Sequence, residues 1–189
     1  VNGKQESMDK IFPLVKKYGG VVVGLTLDEN GIPETAEGRI AIAKKIYNEA
    51  LKYGISKKDV IIDPLTLTVS TGSDNAKITL DAVKGIKALD GKTVLGVSNV
   101  SFGLPERQNI SSVFYTLALN AGLDAAIINP KSDDMMKAYY SFCALMGYDE
   151  NFLDYIEFAS TVKKEETAVN HNESDSDALK NAVIKGMSE

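Results

Sequence analysis

The sequence predicts an α/β fold built from parallel strands. Two observations carry that prediction. Apolar runs of strand length alternate four times with segments of helical period. Each strand is joined to the next through a helix and short loops, which suits parallel pairing by right-handed crossovers. Four such units are half of a (β/α)8 barrel, which usually needs about 250 residues. The pattern alone leaves both an open and a closed sheet standing.

The first helix reads from Met8 to Tyr18, through Met8, Ile11, Leu14, Val15 and Tyr18, with residues 1–7 as a loop. Pro13 falls inside it, so the helix starts late or kinks there. Gly19-Gly20 ends it. Val21 to Leu27 is a continuous apolar run, as in a strand covered on both faces. The turn-rich loop Asp28 to Glu34 follows. Thr35 is placed to cap the second helix, whose apolar stripe reads Ile40, Ala43, Ile46, Tyr47, Ala50 and Leu51.

The unit then repeats. Val60 to Leu65 is the second strand, and Asp74 is placed to cap a helix carrying Ile78, Ala82, Val83 and Ile86. Thr93 to Val97 is the third strand, and a helix follows from about Ser111 to Ala121. Asp124 to Pro130 is the fourth, with a Ser132-capped helix after it and one more short helix over Asp149 to Phe158. Residues 160–177 are polar and lack aromatics, which reads as a linker between a domain over 1–159 and a helix over 178–189.

Composition narrows the function. A chain of 189 residues with 44% hydrophobic and 25% charged residues is an ordinary globular protein. A net charge of −5 with no basic patch argues against nucleic acid. No apolar run is long enough to span a membrane, and a cytoplasmic location is expected. The single cysteine, Cys143, reads as a buried core thiol. The single histidine, His171, sits in the polar stretch, so neither a Ser-His pair nor a Cys/His metal set is available. Glycine-rich phosphate motifs are absent.

What remains is a set of polar residues at the strand ends: Thr26 and Asp28, Asp63-Pro64, Ser98 and Asn99, and Asn129-Pro130. Parallel strands gather these ends on one face, where α/β proteins place their chemistry. Bland roles compete with this. Asp63 can cap the Leu65–Thr68 turn, Asn99 can cap a turn in a plain strand-to-helix connection, Asn129 can start a turn, and Arg107 can pair with Glu106. A site of Asn, Asp, Ser and backbone groups suits hydrogen-bonding of a polar heterocycle better than nucleophilic attack by the protein.

Three strings, IIDPLTLTVSTG from Val60's neighbour Ile61, GVSNVSFGLPER from Gly96, and AGLDAAIINP from Ala121, resemble the pterin-binding methyltransferases in order and spacing. That family includes the folate domain of cobalamin-dependent methionine synthase and the methyltetrahydrofolate:corrinoid protein methyltransferases. The opening VNGKQESM and the loop from Leu27 resemble it too, over about residues 1–158. The resemblance implies the C-terminal half of a dihydropteroate synthase-like TIM barrel, starting at the end of the family's fourth strand. It places the family's earlier pterin-binding Asp and Asn upstream, with Asn2 falling slightly after the expected Asn.

It also implies a substrate site of Asp63, Gly96, Ser98, Asn99, Ser101, Arg107 and Asn129, with Asn99 as the catalytic residue and no metal. Methyltetrahydrofolate is the implied substrate, and its methyl group passes to the cobalt of a corrinoid (cobalamin) on a partner module. A methyl group on a tertiary amine leaves badly, so the departing nitrogen needs a hydrogen-bond donor. Residues 178–189 resemble the start of a corrinoid module's helical cap. The isolated fragment is expected to be inactive and to form a homo-oligomer, through open sheet edges and uncovered apolar faces. The alternatives are another pterin enzyme of dihydropteroate synthase type, or an inactive, self-associating barrel fragment.

Overall fold

The computed structural model describes residues 1–170. They form two compact units, Val1–Phe142 and the segment from Cys143 onwards. The first holds the whole sheet: β1 (Val22–Leu25), β2 (Val60–Asp63), β3 (Lys92–Gly96) and β4 (Ala125–Ile127). All are parallel and stand in the order β1-β2-β3-β4, so each pairs with its neighbour in sequence. The helices are α1 (Gln5–Tyr18), α2 (Ala36–Lys52), α3 (Asn75–Ala88), α4 (Arg107–Asn120) and α5 (Asp133–Leu145). A strand-helix alternation with sequential strand order is the arrangement found along one arc of a (β/α) barrel.

Two clusters of buried side chains hold the helices to the sheet. One joins Met8 and Phe12 of α1, Ile42, Ala43 and Ile46 of α2, and Val60 and Ile62 of β2. The other joins Val83 of α3, Leu95 of β3, and Phe114, Tyr115 and Ala118 of α4. β1 alternates buried and exposed positions, and Val23 points away from the helix layer, 41% exposed. Ile127 of β4 is 67% exposed.

The ends of elements move relative to the sequence reading. Helix α1 begins at Gln5, and residues 1–3 are not a free loop. Asn2 forms a parallel bridge to Leu25, the Leu25 N–H donates to Val1 O at 2.9 Å, and the Gly3 N–H donates to Leu27 O at 2.8 Å. Three residues are too few for a period to show. The chain passes through Pro13 within one continuous α1. Thr35 caps α2, its hydroxyl accepting from the Gly38 N–H at 3.1 Å, but the Asp74 side chain makes no capping bond.

The buried stripe of α2 is rotated from the expected one. It reads Ala36, Arg39, Ile42, Ala43, Ile46 and Ala50, while Leu51 is 69% exposed. Cys143 is half-buried, not an enclosed core thiol.

In the second unit, α6 (Leu153–Asn170) follows a short 3-10 turn, Glu150–Phe152. The Asp149 carboxylate accepts the N–H groups of Asp154 at 3.1 Å and Tyr155 at 2.9 Å, a cap that starts the helix. This corrects the expectation of a linker over 160–170, which is helical. Lys163-Lys-Glu-Glu-Thr-Ala carries no apolar stripe, but Lys, Glu and Ala are strong helix formers, so polarity alone was the wrong guide. The rest of that stretch and the expected helix over 178–189 lie outside the described residues.

Candidate functional site

The carboxyl ends of β2, β3 and β4 enclose a cavity of about 500 Å³. Asp63, Gly96, Ser98, Asn99 and Asn129 all line it, together with Leu65 and Thr66. Strand register explains the meeting: Leu25 pairs with Asp63, and Gly96 pairs with Ile127. The volume is within the range of small-molecule sites, roughly 300–1,000 Å³.

Asp63 is the last residue of β2 and is partly buried. Its Oδ1 accepts the Leu65 N–H at 2.8 Å, so the expected turn role is real. Among the described residues that is the carboxylate's one hydrogen bond, and Oδ2 makes none. Burial pushes the Asp63 carboxyl above the ordinary aspartate value, against the pull of the Leu65 N–H and the Arg39 charge.

Asn99 does not end a strand. β3 stops at Gly96, and Val97–Ser101 is a 3-10 turn. The Asn99 backbone carbonyl accepts from the Phe102 N–H at 3.2 Å, while its side-chain amide is exposed and makes no hydrogen bond among the described residues. A Cβ on Gly96 would come within 3.0 Å of Asn99 Nδ2. Gly96 therefore leaves room for that amide over the strand end. Asn129 lines the same cavity and also starts a turn, its Oδ1 accepting from the Lys131 N–H at 3.0 Å.

Two expected site residues, Ser101 and Arg107, are not among those that line the cavity. Ser101 is fully buried and shares a 2.8 Å hydrogen bond with the Ser111 hydroxyl. Arg107 is not paired with Glu106. Its Nη2 donates to Ser98 O at 2.8 Å and its Nε to Ser101 Oγ at 3.3 Å, with Phe102 5.6 Å from the guanidinium. It braces the turn that carries Ser98 and Asn99.

That turn is also tied to the loop after β2. Thr68 Oγ1 donates to Phe102 O at 2.7 Å, Ser70 Oγ to the same oxygen at 3.0 Å, and the Val69 N–H to Val100 O at 2.9 Å. The two loops that bear Asp63 and Asn99 are thus one hydrogen-bonded piece.

The sequence reading missed Arg39, Leu65 and Thr66. Leu65 has φ of 65° and Thr66 Oγ1 is buried with no partner among the described residues. Nothing in a leucine announces a left-handed backbone. Arg39 did carry a signal, because it lies four residues before Ala43 and seven before Ile46 on the buried stripe. Among the described residues no cluster of His, Cys, Asp and Glu is placed to hold a metal.

A parallel β/α arc with a cavity at its strand ends, lined by Asp63, Ser98, Asn99 and Asn129 among apolar side chains, is the place where α/β barrel proteins bind small molecules. The chain matches the family model described as pterin binding enzyme over residues 1–129, and it belongs to that family. It is 33% identical over 153 residues to the methylcorrinoid:tetrahydrofolate methyltransferase of Eubacterium limosum, covering 79% of this chain and 56% of that protein. It is 36% identical over 137 residues to methionine synthase of Mycobacterium tuberculosis, covering 68% of this chain and 12% of that one. The Mycobacterium leprae methionine synthase matches at 36% over the same length, with 11% of it covered. The chain thus spans about half the length of the first relative and about a tenth of the other two. The resemblance read from the three motifs is borne out at the level of family.

Proposed function

We propose that this chain binds methyltetrahydrofolate in the cavity at the ends of β2, β3 and β4, for methyl transfer to a corrinoid. One observation carries the reading. Two polar side chains from different strand ends, Asp63 and Asn99, share one cavity, and each keeps hydrogen-bonding capacity that no described residue uses. In this reading the Asp63 carboxylate accepts N–H donors on the pyrimidine edge of the pterin. The Asn99 amide N–H donates to the ring nitrogen that carries the methyl group, stabilising the charge that develops as the bond breaks. Asn129 and the Ser98 hydroxyl serve as polar contacts along the ring. Arg107 holds the Asn99 turn.

The chemistry at the methyl group itself is supplied by the cobalt of a corrinoid on a partner module. The curated relative from Eubacterium limosum is named for transfer from a methylcorrinoid to tetrahydrofolate. One site serves both directions, because a donor that stabilises the transition state does so whichever way it is crossed. Titrating the chain with methyltetrahydrofolate in a calorimeter tests the binding. Saturable heat is expected, and no heat at millimolar ligand would remove the proposal.

A homo-oligomer is part of the same reading, supported by exposed Val23 and Ile127 on the sheet. Sedimentation is expected to show more than one copy, and a clean monomer at micromolar concentration would count against it. A cytoplasmic site of action is also proposed, to be checked by cell fractionation. Among the described residues no helix is long and apolar enough to cross a membrane.

A further inference from the structure

Arg39 is the largest fully buried side chain in the described structure, in the first turn of α2. Burying a guanidinium is costly unless it is paired and hydrogen-bonded. Yet among the described residues Arg39 makes no ion pair, and its Nη2 has no hydrogen-bond partner. Its other donors converge on one feature. Nη1 donates to Pro64 O at 3.0 Å, to Leu65 O at 2.7 Å and to Thr79 Oγ1 at 3.1 Å. Nε donates to Pro33 O at 3.1 Å, tying in the loop after β1. Thr79 Oγ1 itself lies 3.1 Å from Leu65 O.

The feature they hold is the turn that aims Asp63. Leu65 sits at φ of 65°, a conformation that a leucine adopts only when its surroundings impose it. The Leu65 N–H is the group that grips Asp63 Oδ1. Release of the two carbonyls would let the backbone at Leu65 relax, and the N–H would turn away from the carboxylate. The Asp63 carboxyl also feels the Arg39 charge. Around it the neighbouring strands bring neutral groups: Leu25 and Thr26 from the β1 side and, across the cavity, Gly96 from β3.

We propose that Arg39 is a positioning residue for the pterin site, holding the Pro64 and Leu65 carbonyls so that the Asp63 carboxylate stays fixed at the cavity. The inference rests on the functional reading above, and it extends that reading to a side chain that touches no ligand. Arg39 acts through Asp63 alone, so its effect on binding disappears once Asp63 can no longer act.

A double-mutant cycle in the full chain tests this. Dissociation constants for methyltetrahydrofolate are measured for the parent, Arg39→Met, Asp63→Asn and the double variant, with thermal unfolding of each. Arg39→Met is expected to weaken binding roughly tenfold in the parent, a usual size for coupled neighbours. The same change is expected to alter binding less than about twofold in the Asp63→Asn background. Leu65→Gly, which removes the backbone conflict, is expected to restore part of the loss. An equal factor in both backgrounds would make Arg39 a general structural support, and unchanged binding in a folded Arg39→Met would overturn the proposal outright.

A second readout needs no ligand. The Asp63 carboxyl carbon is titrated by NMR in the parent and in Arg39→Lys, which keeps a charge and guards against a variant that does not fold, and in Arg39→Met. The midpoint is expected to rise in Arg39→Met and to move less in Arg39→Lys. An unchanged midpoint in Arg39→Met would overturn the inference. Absent pterin binding with a shifted midpoint would overturn only the functional reading.

Discussion

Two aspartates at opposite ends of the sheet show how the molecule divides its polar groups. Asp124 precedes β4 at the amino end of the strands. Its carboxylate accepts from Lys87 at 2.8 and 2.9 Å, from Lys92 at 3.1 Å, and from the Thr93 N–H at 2.9 Å. Asp63 ends β2 at the carboxyl end and, among the described residues, accepts one hydrogen bond, from Leu65. Burial raises both carboxyls, but for Asp124 the bonds from Lys87, Thr93 and Lys92 prevail and its pKa falls below the ordinary value. For Asp63 burial prevails and the pKa stays above it. The satisfied carboxylate stabilises the fold, whereas the under-satisfied one stands in a cavity beside an amide that is also unused. The proposed ligand face rests on that difference, at the strand ends where parallel α/β proteins bind their ligands.

The comparison is broken most sharply at Asn99. Its exposed side chain makes no hydrogen bond among the described residues, so Asn99→Ala should change stability by less than about 0.5 kcal/mol. Removing a preorganised donor at a developing charge costs on the order of 10²–10³ in rate, about 2.7–4 kcal/mol. Single-turnover methyl transfer with the corrinoid partner is expected to show that loss, with pterin affinity nearly kept. Transfer at the parent rate would reduce Asn99 to a turn residue.

A smaller effect is expected at Asp63. Asp63→Asn replaces an anionic acceptor that contacts the ring in ground and transition states alike, so binding should weaken by about 1.5–3 kcal/mol. In the parent, affinity should fall as pH drops through a carboxyl pKa raised above the aspartate norm, because only the ionised form accepts two N–H donors. That pH dependence should vanish in Asp63→Asn. Its persistence would place the titrating group elsewhere.

At the other end, Asp124→Asn should cost about 1–2 kcal/mol of stability and leave pterin affinity unchanged. The folded pKa of Asp124 is depressed, so its contribution is fully present above the unfolded-state value and is lost as pH falls through the folded one. Chemical denaturation from pH 7 downward should therefore show a loss in the parent that the variant lacks. Matching pH curves would mean that the Lys87 and Lys92 contacts stabilise nothing.

Much of this was legible in the sequence. The four strands, the five helices of the first unit and the Thr35 cap follow from period and capping chemistry, because each needs only local residue types. The strand-end rule brought Asp63, Ser98, Asn99 and Asn129 together, and the structure puts them on one cavity. What failed depended on tertiary context. Ser101 reads as a site residue until Ser111 and Arg107 enclose it. Arg39 went unread because its role lies in the Pro64 and Leu65 carbonyls, which only the folded chain brings to its Nη1. The helical run to Asn170 was hidden because helix propensity, and not an apolar stripe, marks it.

The central claim is that the Asp63 end of the sheet binds a pterin and the Asp124 end does not take part. Calorimetric titration of methyltetrahydrofolate into the parent, Asp63→Asn and Asp124→Asn at pH 7 tests it in one experiment. The account predicts saturable binding in the parent, the same affinity in Asp124→Asn, and at least about tenfold weaker binding in Asp63→Asn. Equal affinity in all three, or no binding in a folded parent, would contradict it.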